Sequence, residues 1–338
     1  MDNFSLNQVV IYHDETKDVA GRNFKGHILF FVPLRLITTT YSPLFGDDIT
    51  EYSPHELLYN KIVDLRKKYC CDGKFHFSEI SGRSWKKYDF AYRFLIDIST
   101  DGLRHKGQKE FPQPLHCKMA IIFYPKGEDY SIYGGGEKKE LKLRHDETLL
   151  RILLKGASHF LYDDNNQIEV KRIVTDGSPS HRNFDKERII RKLTYEGSKG
   201  KTPLRNYVTF STDTEIIHLP SDHKDYPLGS EENKAANMLQ IADLLLGAVM
   251  RSCYHGFRLQ KKIPKIGDEC VKRDIISQPL KIMLDKYKRG GGFVNSGHFK
   301  SFTISEVDFS NGGVNFREIH PIELSISDTD SLQMSLFS

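Results

Sequence analysis

Apolar positions along the chain repeat with two periods, near 2 in short stretches and near 3.6 in longer ones, and the two kinds of stretch interleave. "QVVIYHDET" is an apolar, β-branched and aromatic run that breaks into charge, as a buried strand does on reaching a sheet edge. "HILFFVPLRLI" reads as its hairpin partner. "SPHELLYNKIVDLRKKYC" opens with Ser-Pro and repeats Leu57, Leu58, Ile62 and Leu65 at helical spacing, which predicts a helix. A short extended segment, "KFHFSEI", an amphipathic helix, "WKKYDFAYRFLIDIS", and a strand, "LHCKMAIIFYP", follow.

In "HDETLLRILLKGASHFLY" the apolar positions 149, 150, 153, 157, 160 and 161 trace one helical face. Asp146 sits where an N-cap belongs, and Glu147 in the first turn would favour the helix dipole. "IEVKRIVTDG" predicts a strand ending in an acid and a glycine, "NFDKERIIRKLTYE" a helix, and "NYVTFSTDTEIIHLP" one bent strand or two short ones. "EENKAANMLQIADLLLGAVMRSCYHG" predicts the longest helix. The alternation implies an α/β fold with a mixed sheet. One elaborated domain is expected over residues 1–325, with its core at about 8–255 and a basic, Gly-rich extension over 256–325. A flexible polar tail is expected over 326–338.

Length and composition narrow the class. A chain of 338 residues with 38% hydrophobic and 28% charged residues can bury a sizeable core and is globular in type. The 49 basic against 45 acidic residues leave +4, which permits a nucleic-acid partner without demanding one. The five cysteines are odd in number and never spaced C-x-x-C, so neither a disulfide framework nor a zinc knuckle is expected. No stretch is long enough to span a bilayer and the first residues lack a signal-peptide pattern, so a cytoplasmic protein is expected.

Three acids stand out. Asp14 and Glu15 end the first strand, Asp176 ends a later one, and Asp243 interrupts an almost wholly apolar helix. Asn233, Asn237, Gln240, Asp243, Gly247 and Arg251 fall on one stripe of that helix, a polar face expected to look into a wet cleft. A carboxylate beside a core is costly unless paired or bound to a cation. Acids from two strand ends and one helix can converge, and several negative charges together require cations. Magnesium or manganese takes such oxygen ligands, and a pair of ions clamps both oxygens of a phosphoryl displacement. Against this, a strand-end Asp-Glu is commonly a surface element and Asp-Gly a turn signal. Asp243 is harder to dismiss in a buried helix.

The strand ending "YHDET" together with "LQIADLLLGAV" in a late helix resembles the bacterial domain-of-unknown-function family 3800, of the ribonuclease H-like superfamily. That family shows Asp-Glu-Ser-Gly in its first strand and Gln-hydrophobic-Ala-Asp in its last core helix. The likeness runs in element order over about residues 8–255 and at motif level only at the two ends. It implies a metal-dependent nuclease with Asp14, Asp176 and Asp243 as ligands of two magnesium or manganese ions. Thr16 and Lys17 replace the family's Ser and Gly. The fourth carboxylate is Glu15 or Glu79, with Glu15 preferred; His181 and Gln240 are auxiliary candidates.

Weaker signals complete the picture. "GSKGKT" lacks the first glycine of a P-loop, since Tyr195 stands there. His76, His181 and His298 read as ordinary polar residues, of which His181, close after Asp176, best merits a test. Lys261, Lys262, Lys265, Lys286, Lys288 and Arg289 could track a nucleic-acid backbone, although such runs are usually solvated faces. The second "HDET", at His145–Thr148, reads as a helix cap and its repetition as coincidence. The terminal Gln333, Met334, Ser335, Leu336 and Phe337 resemble the peptide by which bacterial replication proteins dock on the DNA polymerase sliding clamp. The expected function is a nuclease on DNA or RNA, in repair, replication or phage defence. The alternative is a catalytically silent adaptor of the same fold, recruited through its tail.

Overall fold

A computed structural model describes residues 7–16, 24–42, 46–80, 85–99, 115–125, 135–162, 167–176, 179–190, 193, 208–254, 269–289, 301–308 and 315–318. The described strands are β1 (Asn7–Thr16), β2 (Phe24–Ser42), β3 (Gly46–Tyr52), β4 (Lys118–Pro125), β5 (Ile168–Thr175), β6 (Val208–His218), β7 (Phe302–Asp308) and β8 (Asn315–Glu318). The main helices are α1 (Pro54–Lys68), α2 (Trp85–Asp97), α3 (Lys138–Leu161), α4 (Glu231–Tyr254) and α5 (Glu269–Arg289).

The strands form one mixed sheet in the order β6-β5-β1-β2-β4-β7-β8, with β3 paired to the far half of β2. β1 runs antiparallel to β2 and parallel to β5, which runs parallel to β6. The architecture is therefore α/β, a mixed sheet flanked by helices.

Strand alternation divides the interior into two cores. Val10, Tyr12, Ile28, Phe30, Ile121, Phe123 and Val174 pack with α1, α2, α4 and α5 on one face. Val9, Ile11, Leu29, Phe31, Ile122 and Ile173 pack with α3 on the other. β1 is buried on both faces, which is why its apolar run is nearly continuous.

Several elements differ from their sequence reading. "KFHFSEI" holds a single 3-10 turn, Phe77–Glu79, and "NYVTFSTDTEIIHLP" contributes one strand, β6. α3 equals α4 in length at 24 residues. It starts at Lys138 with Glu137 at its N-cap, so the second "HDET" lies inside the helix. Asp146 and Glu147 are buried there, and the capping assignment is corrected. The helix extends upstream of the apolar face that begins at Leu149, through Leu141 and Leu143. The basic extension contains α5, whose Ile276, Leu280 and Leu284 are buried in the first core, and β7, which pairs with β4. "GSKGKT" and His298 lie outside the described residues.

Candidate functional site

β1 and β5 run side by side, in register at His13 and Thr175, where β5 ends and β1 continues to Thr16. The Asp176 N–H donates to the His13 carbonyl at 3.2 Å, which fixes the first residue past β5 beside Asp14. By alternation Asp14 shares the face of Val10 and Tyr12, the face on which α4 lies, and α4 packs along β1. Asp243 projects from α4. Asp14 is buried, and its carboxyl is held well above the usual range, chiefly by burial and then by the charges of Asp243 and Asp176. The three sequence-identified aspartates thus lie near enough for the charges of Asp243 and Asp176 to act on Asp14. Open α/β sheets commonly bind ligands at such strand ends.

Asp14 and Asp243 each accept a backbone N–H. Asp14 Oδ1 accepts from the Glu15 N–H at 2.8 Å. Asp243 Oδ2 accepts from the Phe77 N–H at 2.6 Å and lies 3.7 Å from His76 Nδ1. That carboxylate raises the His76 pKa against the lowering effect of burial. Among the described residues, none of the three aspartates forms an ion pair with Lys or Arg.

Gly247, one turn beyond Asp243, admits the Phe77 side chain, where an added Cβ would meet Phe77 Cγ at 2.2 Å. The glycine therefore seats the segment that bonds Asp243.

The rest of the α4 stripe does not face a wet cleft, and that expectation is corrected. Asn233, Asn237 and Gln240 are all buried. Arg66 donates from Nε to Asn237 Oδ1 at 2.8 Å and from Nη2 to Gln240 Oε1 at 2.7 Å. Gln240 Oε1 also accepts from the Phe75 N–H at 2.7 Å, and its Nε2 reaches the Ser221 carbonyl and His223. A buried polar group costs free energy unless bonded, and here Arg66 and two loops satisfy the stripe. Gln240 pins residues 75 and 221–223 to α4. Arg251 pairs with Asp274.

Glu15 points to the opposite face of the sheet from Asp14, so the preference for it as fourth carboxylate is corrected by strand alternation. It joins a buried group there: Glu15 Oε2 lies 3.8 Å from His181 Nε2 and 4.0 Å from His27 Nε2. His13 Nε2 and His27 Nδ1 are hydrogen-bonded at 2.8 Å, and His13 Nδ1 bonds Thr175 Oγ1 at 2.8 Å. Thr175 Oγ1 also bonds His181 Nδ1, and His181 Nε2 lies 3.7 Å from Asp146 Oδ2. Burial, followed by neighbouring histidines, pushes His13 and His27 well below the usual range. The two "HDET" copies are thus linked through His181. The signal for this was available, since alternation puts His13 and Glu15 on the face away from Asp14. Glu79 is an exposed partner of Lys87, at 2.6 Å.

Lys261, Lys262 and Lys265, and the tail residues Gln333, Met334, Leu336 and Phe337, lie outside the described residues. Lys286, Lys288 and Arg289 fall in the last turns of α5.

The aspartates suit magnesium or manganese by chemistry, since carboxylate oxygens are the ligands those ions prefer and a cation would offset the charge crowding Asp14. They do not stand as a finished cage: among the described residues no group of three His, Cys, Asp or Glu is arranged to hold a metal ion. The oxygens of Asp14 and Asp243 are engaged by backbone N–H groups instead.

Compared with known proteins, the chain matches no family model and no curated protein. Among the described residues, no helix is long and apolar enough to cross a membrane.

Proposed function

We propose that the chain is a divalent-metal-dependent nuclease of ribonuclease H-like type, related to family 3800. The observation that carries the reading is the meeting of Asp14 and Asp176, from neighbouring strand ends, with Asp243 from α4. Asp14, Asp176 and Asp243 would hold the ions, which when bound supply an activated water and neutralise phosphate charge. His76 holds a proton at Nδ1 against Asp243 and orients that carboxylate, while Phe77 positions its other contact. The fourth carboxylate is left unassigned, since Glu15 faces away and Glu79 pairs with Lys87. Nucleic acid is the proposed substrate. Docking on the sliding clamp through Gln333, Met334, Leu336 and Phe337 is a further proposal that rests on the sequence of the tail.

One observation favours the adaptor reading: one oxygen each of Asp14 and Asp243 accepts a backbone N–H, and among the described residues the aspartates are not gathered as a ready cage. The test separates the two. Wild type and Asp243→Asn are incubated with labelled single-stranded DNA, duplex DNA, RNA and hybrid, in manganese or in EDTA. The nuclease reading expects metal-dependent cleavage that the variant loses. No cleavage of any substrate by the wild type transfers the assignment to the adaptor.

A further inference from the structure

Trp85 is the single tryptophan of the chain and is 55% exposed at the start of α2, an unusual place for so large an apolar surface. It is the first member of an aromatic row. Trp85, Tyr88 and Tyr92 recur at helical spacing; Tyr88 and Tyr92 are partly buried against the first core, beside the buried Phe90, Ala91, Phe94 and Leu95, while Trp85 stands out from it. Trp85 meets Tyr88 edge-on at 6.1 Å, and Tyr88 and Tyr92 lie parallel at 6.0 Å.

The row is set in positive charge. Lys272 Nζ, from α5, lies 3.7 Å from the centre of the Trp85 ring and 5.8 Å from that of Tyr88. Lys86 is exposed beside Trp85, and Lys87 follows it in the same turn, paired with Glu79. A cation under an indole that still shows half its surface leaves a face open to a second flat partner.

The row also adjoins the aspartates. Lys87 pairs with Glu79, and Arg273 donates to the carbonyls of Ser78 and Ile80. The start of α2 and the Lys272–Arg273 turn therefore brace the loop whose Phe77 N–H bonds Asp243.

We propose that Trp85, with Tyr88 and Lys272, is a stacking platform for the bases of single-stranded nucleic acid, a claim that rests on the nuclease reading for its biological sense. Indole and phenol faces stack on any unpaired base, the buried Lys272 holds the indole from beneath, and the exposed Lys86 attracts a phosphate. A duplex keeps its base faces covered, so the platform selects the unpaired strand. Single-stranded DNA and RNA share this chemistry.

The test uses the emission of Trp85, which reports its own surroundings without a label. The full chain in EDTA, and Asp243→Asn in manganese, are titrated with oligo-dT, oligo-rU and a duplex of equal length. The expected result is saturable, salt-sensitive quenching by a single strand, at least ten-fold tighter than by the duplex. Trp85→Ala, followed by anisotropy of a labelled strand, should lose about ten- to a hundred-fold in affinity, and Trp85→Phe should keep most of it. The urea midpoint of Trp85→Ala checks that the fold survives. Absence of quenching in both conditions, or unchanged binding by a folded Trp85→Ala, overturns the platform. Cleavage that ignores Trp85 leaves the nuclease without it, whereas quenching without cleavage keeps the platform and removes the nuclease.

Discussion

Gly247→Ala should destabilise the protein although it places a better helix former inside α4. In an open helix the change gains about 1 kcal/mol. Here the new Cβ would lie 2.2 Å from Phe77 Cγ, 2.4 Å from Cδ1 and 2.7 Å from Cβ. Carbon atoms settle at about 3.5–4.0 Å, so the ring must withdraw by roughly 1.5 Å. Phe77 donates its N–H to Asp243 at 2.6 Å, and a shift of that size carries the bond out of range. Overpacking costs about 1–3 kcal/mol, and a hydrogen bond to a charged group is worth about 1.5–3 kcal/mol. The net expectation is a loss of about 2–5 kcal/mol, read from the urea midpoint. Gly156, in α3, is the control: nothing lies within 4 Å of its Cβ position, and Gly156→Ala should stabilise by about 0.5–1 kcal/mol. If Gly247→Ala proved as stable as wild type, the close seating of Phe77 on α4 would be refuted. In a nuclease assay the variant should also lose activity, because the contact to Asp243 moves.

Two further outcomes follow from the charges. Asp14→Asn should stabilise the metal-free protein at neutral pH, because a buried acid crowded by Asp243 and Asp176 is removed. The folded Asp14 pKa is raised, so wild-type stability should fall as pH climbs above the ordinary carboxylate range and the variant should lack that fall. Urea unfolding in EDTA from pH 4 to 8 measures this, and a less stable variant would count against it. His223 is lowered to about 4, mainly by burial and then by Arg66. The unfolded chain takes up that proton near pH 6.5, so stability should drop as pH falls from about 6.5 to 4, by at most about 3 kcal/mol. His223→Gln should flatten that limb of the profile, which unfolding at stepped pH would read.

The legible parts of the sequence were those set by local pattern. β1, β2, α1, α2, β4, β5 and α4 follow from period and punctuation, and Asp14, Asp176 and Asp243 stood out because each breaks an apolar run. What escaped depends on partners distant in sequence. Gln240 and Asn237 read as wet because a polar stripe does not announce that a buried Arg66 from α1 will complete it. The second "HDET" reads as a cap because nothing local says that Asp146 will meet His181, on which Glu15 also converges. The Pro279 within α5 interrupts the helical pattern that would have announced that element.

The central place of β1 has a consequence for synthesis. Its hairpin partner β2 follows at once, but its other edge waits for β5, and Asp14 waits for Asp243. At about 5–20 residues per second the ribosome leaves that edge open for on the order of ten to thirty seconds. An uncovered apolar strand is a template for pairing with another chain. The charged ending His13-Asp14-Glu15, which burdens the finished core, is what a nascent chain would carry there to discourage the wrong neighbour.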